Sequence, residues 1–346
     1  MTRAACVGVD WGTTSLRLWA FDETGSVMAE ARSADGMSRL KPDMFAPLLE
    51  KELAAMGVAH DVPVIACGMV GAAQGWVPAP YVDVCSQLDA IVDGAVKAPS
   101  ARSVFILPGV AQREGAPDVI RGEETMLLGA LESLPRKATV CLPGTHSKWV
   151  QVESGFITSF RTAMVGELYE MLSKHSTLSH YLDAGGTPSD AAFDQAVREA
   201  LGAPTRLLSA LFSVRAMPLL RGDEQAKDMP DRLSGLLIGT EIASALLEAN
   251  RSSVQTVVAN PQAHRLDAPT PATFVRLGSE DPELSLLGRP ITVIASGALG
   301  ERYTRAFTVA GCAFQLFDAE LAVQHGLLRA ARSLLPDRFN GAGTKT

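Results

Sequence analysis

Apolar residues fall in short runs at the start of the chain. Cys6–Asp10 is one, Leu16–Asp22 follows a Gly-Thr-Thr-Ser turn, and Ser26–Arg32 follows Glu-Thr-Gly. Runs this short, bounded by turn residues, predict three strands closed by hairpins. Phe45, Leu48, Leu49 and Leu53 then recur at helical spacing and predict a helix over 42–56. Val62–Cys67 and Val104–Leu107 read as further strands, separated by a Gly-rich loop over 68–81. Leu127, Leu131 and Leu134 share one face of a helix predicted over 123–134.

The pattern then restarts. Ala138–Leu142 is an apolar strand, and Lys148–Val152 and Phe156–Phe160 flank the turn Glu153-Ser154-Gly155. Helical segments are predicted over 166–174, about 189–214 and 234–249, a strand over 291–295, and helices after 297 and over 318–333. Each half therefore begins strand, tight small-residue turn, strand, hairpin, strand. Two halves built alike predict a duplicated α/β fold, with domains 1–136 and 137–346. A chain of 346 residues is also longer than one core ordinarily serves.

Composition narrows the function classes. The net charge is −7, without blocks of Lys or Arg, which argues against nucleic acid or an anionic membrane as main partner. A small anionic substrate remains compatible, because a few local Arg or Lys residues suffice to recruit one. The five cysteines are scattered with no CxxC pair, as expected of buried apolar residues in a reducing compartment. No run reaches the ~18 apolar residues of a membrane span, and Met1–Cys6 lacks a signal-peptide core. The expected location is cytoplasmic. A homodimer is compatible with these properties.

Candidate chemistry lies in the turns. In Asp10-Trp11-Gly12-Thr13-Thr14-Ser15, glycine lets backbone N–H groups approach an anion, and three hydroxyl residues add donors. Asp10 closes a strand where a hydrated magnesium ion would be held, since Mg2+ favours one or two carboxylates plus waters and phosphate oxygens. Pro143-Gly144-Thr145-His146-Ser147 occupies the same place in the second half. The two turns together are suited to clamp a triphosphate, with Lys148 and His146 beside the second. Gly297, Ala298 and Gly300 follow a buried strand and open a helix, where small residues let a flat adenine lie on the backbone. GxxxxGK[ST] does not occur, which disfavours a P-loop fold.

Taken in this order, the three elements resemble the phosphate-1, phosphate-2 and adenosine motifs of the actin/hexokinase/Hsp70 superfamily. That resemblance implies two ribonuclease-H-like domains around a central nucleotide cleft, with ATP and Mg2+ as cofactors. Further strings resemble the 2-dehydro-3-deoxygalactonokinase family: Cys67–Gly71 with Gln74-Gly75-Trp76 and Ala79–Val82, Arg121-Gly122-Glu123-Glu124-Thr125, Leu142–Val150, and Gly166-Glu167-Leu168. The family's Ser-Arg pair before Gln/Asn-Gly-Trp is Ala72-Ala73 here. The resemblance implies transfer of the ATP γ-phosphate to the 6-hydroxyl of 2-dehydro-3-deoxy-D-galactonate, in galactonate catabolism.

By analogy with related sugar kinases, in which an Asp opens the corresponding helix, Glu124 is the first candidate base and Glu123 the second. Asp10 is their rival. Gln74, Trp76, Tyr81 and Arg121 are the candidate sugar-acid contacts, with Arg113 a further carboxylate partner. Two alternatives stay open: another sugar or keto-sugar-acid kinase of the same fold, and a non-enzymatic actin-like ATP-binding scaffold or regulator.

Overall fold

In the computed structural model, which describes residues 3–182, 188–258 and 290–339, the first three apolar runs form an antiparallel meander. Its strands are β1 (Cys6–Trp11), β2 (Leu16–Phe21) and β3 (Val27–Ser33). Helix α1 (Phe45–Ala55) buries Phe45, Leu49 and Leu53, the face expected from their spacing. It leads to β4 (Val64–Cys67), all four residues of which are buried and pair parallel to β1. Such a run suits a parallel strand covered on both faces.

The next segment holds elements too short for periodicity to reveal. These are β5 (Tyr81–Asp83), α2 (Ala90–Asp93), β6 (Val96–Lys97), β7 (Val104–Ile106), β8 (Gly109–Gln112) and β9 (Asp118–Ile120). β5, β8 and β9 form a small separate sheet, while β6 and β7 complete the first large sheet in the order β3-β2-β1-β4-β7-β6.

Helix α3 (Glu123–Ala130) carries the chain into the second half. There β10 (Lys137–Leu142), β11 (Ser147–Glu153) and β12 (Phe156–Ala163) repeat the meander. A helical layer follows: α4 (Val165–His175), α5 (Asp190–Gly202), α6 (Leu207–Arg221) and α7 (Met229–Val258). The single helix expected over about 189–214 is two, because Pro204 disfavours helical backbone at Ala203 and opens a 3-10 turn. The chain continues as β13 (Ile291–Ile294), α8 (Gly297–Val309), β14 (Phe314–Phe317) and α9 (Ala319–Leu334). The second sheet has the order β12-β11-β10-β13-β14.

The two large sheets are therefore alike. In each, a three-stranded meander lies beside two strands parallel to its first member. The largest core cluster lies between them, where Leu127 and Leu128 of α3 meet Val323 and Leu327 of α9, with Phe21 and Ile65 from the first sheet and Val140 and Val150 from the second. α9 follows the second sheet in sequence, yet it packs on β1, β4 and α3.

Candidate active site

The turn at 12–15 joins β1 to β2, and the turn at 143–146 joins β10 to β11. Each therefore leaves the same strand end of its own sheet. The first is closed by Gly12 N–H donating to Ser15 O at 2.9 Å. It is braced by Met37 N–H on Gly12 O (2.9 Å) and by Ser38 on Thr13 O. Thr13, Thr14 and Ser15 are exposed. In the second turn Thr145 and His146 are exposed, and Thr145 O accepts the Glu167 N–H of α4 at 2.9 Å. The Glu167 carboxylate holds the His146 ring through Nε2. Gly297 and Ala298 are exposed at the start of α8, Gly300 is buried beneath them, and Ser296 Oγ bonds Asp318 at 2.8 Å.

Strand pairing sets the partner of Asp10. A four-residue turn places Arg17 of β2 directly opposite, and the two form an ion pair. Burial pushes the Asp10 carboxyl above its ordinary value, and Arg17 partly offsets this. Arg17 engages Oδ2; among the described residues Oδ1 has only Cys67 Sγ at 4.0 Å. The backbone at Gly68 comes so near that a Cβ there would lie 3.2 Å from Asp10 Oδ1 and 2.9 Å from Trp11 O, which explains glycine at φ +90°.

The start of α3 faces the same place. Glu124 is completely buried: Oε2 accepts the Gly122 N–H at 2.6 Å and Oε1 the Thr125 hydroxyl at 3.1 Å. Burial first, then the neighbouring charge of Glu123, pushes its carboxyl up to about 7. Glu123 keeps 23% of its side chain exposed. Its Oε2 accepts the Arg121 N–H at 3.0 Å, and its Oε1 meets Lys148 Nζ at 3.0 Å. Lys148 is nearly buried and also donates to His146 O at 2.8 Å. A carboxylate from the first half and an ammonium beside the second turn thus meet across the junction. The charge of Glu123 acts on Asp10, and those of Asp10 and Glu124 both act on the Cys67 thiol.

The small sheet brings together two of the expected sugar-acid contacts, Tyr81 and Arg121. β5 runs parallel to β8 with Tyr81 opposite Gly109, and β9 ends at Ile120, one residue before Arg121. The Arg121 guanidinium therefore lies over the Tyr81 ring, 4.3 Å from its centroid, and Nη2 donates to Ala79 O at 2.9 Å. Its Nε and Nη1 are buried without a hydrogen-bond partner among the described residues. Gln74 is exposed on the same loop.

Two expected contacts sit elsewhere. Trp76 is 6% exposed and stacks on Phe45 (5.9 Å) beside Trp11 (6.4 Å), so it anchors the loop in the core and does not wall an open pocket. Arg113 is exposed at the far end of β8 on Asp83. The sequence alone assigns no role to Arg17, Glu167 or Asp318. Only Arg17 had a usable signal, the hairpin register.

Two like sheets, each with a small-residue turn at the same strand junction, define a duplicated α/β class of fold. Within that class the chain belongs to the 2-keto-3-deoxy-galactonokinase family, whose sequence profile matches residues 10–268. It is 39% identical to a protein of Rhizobium meliloti (strain 1021) designated probable 2-dehydro-3-deoxygalactonokinase, over 95% of this chain and 97% of that one. It is 32% identical to the 2-dehydro-3-deoxygalactonokinase of Escherichia coli (strain K12), over 96% and 99% respectively. A solved crystal structure of a family protein from Sinorhizobium meliloti superposes with a TM-score of 0.79 at 38% identity, covering 96% of this chain and 99% of that one.

Proposed function

We propose that this protein transfers the γ-phosphate of ATP to the 6-hydroxyl of 2-dehydro-3-deoxy-D-galactonate. The observation that carries the sugar-acid part is Arg121. A buried guanidinium with two unpartnered N–H groups is costly unless something accepts from them. An anionic carboxylate is a strong acceptor for such a guanidinium N–H. Tyr81, 37% exposed, lies over that guanidinium, and exposed Gln74 on the same loop is assigned to the sugar hydroxyls. This arrangement meets the demand left by Ala72-Ala73.

The nucleotide reading rests on Gly12, Thr13, Thr14 and Ser15 on one side of the phosphates and Gly144, Thr145 and His146 on the other. Gly297, Ala298 and Gly300 lie under the adenosine. Asp10 Oδ1, without a nitrogen or oxygen partner among the described residues, fits a magnesium ion carried in by the nucleotide. Bound there, the ion would supply charge neutralisation on the phosphates. Lys148 adds positive charge near the second turn.

Of the two α3 carboxylates, burial favours Glu123 as the group that touches the hydroxyl. Glu124, expected first, stands behind it with both oxygens engaged. Glu123 takes the hydroxyl proton as the oxygen attacks phosphorus, and Lys148 and the Arg121 N–H hold that carboxylate in place. The working division is 1–136 and 137–346, with α9 reaching back to the first sheet. The reading also includes a cytoplasmic location; among the described residues, no helix is long and apolar enough to cross a membrane. It leaves room for a homodimer.

A coupled ATP-consumption assay over a panel of sugar acids tests the substrate. Turnover of 2-dehydro-3-deoxy-D-galactonate well above its gluconate epimer and neutral hexoses is expected, and its loss on chelation of Mg2+. No turnover of that acid, with another sugar consumed, would refute it.

A further inference from the structure

A second buried carboxylate lies in the other half of the molecule, away from the acceptor side. Glu241 on α7 is 6% exposed. Its Oε1 accepts the Trp149 indole N–H at 2.7 Å, and its Oε2 accepts the Tyr303 hydroxyl at 2.5 Å. Tyr303 Oη lies 2.8 Å from Ser147 Oγ, and both residues are buried. Three elements meet here. Ser147 closes the second phosphate turn, Trp149 lies two residues further along β11, and Tyr303 lies on α8, whose first turn is Gly297–Gly300.

The hydrogen-bond count gives this cluster a direction. Serine, tyrosine and tryptophan each bring one proton, and an ionised carboxylate only accepts. With Glu241 ionised, Tyr303 donates to it and Ser147 donates to Tyr303 or to the carboxylate itself, so every donor is used. A proton on Glu241 makes one of its oxygens a donor: Glu241 then donates to Tyr303 and Tyr303 to Ser147, so the line between them reverses and the buried Ser147 hydroxyl must turn from Tyr303. An unmet buried donor is unfavourable, and the bonds of a chain act cooperatively.

We propose that Glu241 is a positioning residue for the nucleotide, acting through Tyr303 and Ser147 to hold the second phosphate turn at a fixed place relative to the start of α8. The inference rests on the assignment of those two elements to ATP, but not on the identity of the sugar acid. Other titratable groups face the same carboxylate. Arg161 of β12 lies over the Trp149 ring at 6.0 Å and pairs with Glu248, and the Cys141 thiol of β10 is pushed up by burial and by Glu241. Burial pushes the Glu241 carboxyl itself up to about 7 despite the hydrogen bonds from Tyr303, Trp149 and Ser147. The line therefore reverses within an ordinary pH range.

The experiment is direct binding of a non-hydrolysable ATP analogue with Mg2+ to the full chain by calorimetry, from pH 6 to pH 8.5. Glu241→Gln keeps an acceptor for Trp149 but donates to Tyr303, so it fixes the reversed direction. It is expected to bind the analogue about 10-fold more weakly than wild type at pH 8.5, and to match wild type at pH 6. Tyr303→Phe should weaken binding similarly, with Ser147→Ala adding nothing further in the double variant. The KM for the sugar acid should stay within about twofold in each.

Equal analogue affinity in wild type and Glu241→Gln at pH 8.5 would overturn the proposal, as would ATP and sugar-acid KM values rising together. If a variant melts early, Ser147→Ala alone decides, because it removes one hydroxyl and leaves the rings packed. A wild type that binds the analogue but fails to phosphorylate the sugar acid would sink the substrate reading and leave this one standing.

Discussion

The residues at the acceptor end differ chiefly in how far they reach solvent. Glu123 and Glu124 are neighbours in sequence, but helical geometry turns one to the junction and the other into the core. Glu123→Gln is expected to lower kcat by about 100-fold or more while analogue affinity holds, and Glu124→Gln to lower it far less. Single-turnover measurements on both would decide, and the opposite order would restore Glu124 as base. At Arg121, Lys keeps the charge but not the fork, so Arg121→Lys should raise the sugar-acid KM by about 10-fold or more with the ATP KM unmoved. Equal KM values for wild type and variant would remove Arg121 from the pocket. The Asp10–Arg17 pair was legible in principle, because a four-residue turn after Trp11 fixes the register. The fate of Trp76 was not. An aromatic on a Gly-rich loop reads the same whether it faces ligand or core, and only the position of Phe45 on α1 settles it.

Among the elements, those with strong periodicity or long apolar runs were legible, and those set by tertiary pairing were not. β4 is a continuous apolar run, β1, β2 and β10 are largely apolar, and α1 and α9 carry one apolar face. β5, β8 and β9 have three or four residues each and exist because they pair with one another, so sequence gave no warning of the sheet that joins Tyr81 to Arg121. The crossing of α3 and α9 was also hidden. A Cβ on Gly129 would lie 1.9 Å from Ala322 O, and one on Gly326 would lie 2.0 Å from Thr125 O. The helices touch backbone to backbone at two glycines. Gly326→Ala should therefore destabilise the protein by about 1–3 kcal/mol or more and, because α3 carries Glu123, depress kcat even where the protein stays folded. Chemical denaturation and steady-state rates measure both. An unshifted midpoint would show that the helices can separate freely.

At the scale of the whole molecule, two buried carboxyls oppose each other's surroundings from the two halves. Glu124 and Glu241 are both pushed from 4.5 to about 7, chiefly by burial. The folded protein thus keeps their protons where the unfolded chain has lost them. Below about pH 4.5 both states are protonated and neither group weakens the fold; as pH rises from there through 7, each removes stability, reaching about 3 kcal/mol. Asp22 and Asp61 behave oppositely, since their lowered values remove stability only as pH falls below the ordinary carboxylate range. The melting temperature should accordingly peak near pH 5 and decline toward pH 8, with a shallower decline in Glu124→Gln and Glu241→Gln. A flat wild-type profile over that interval would contradict the burial of both groups. Nucleotide acts in the reverse sense if it favours ionised Glu241. The rise in melting temperature caused by the ATP analogue should then grow between pH 6 and pH 8 in wild type and not in Glu241→Gln. The free protein is steadiest where the network is protonated, and it grips nucleotide best where that proton has left.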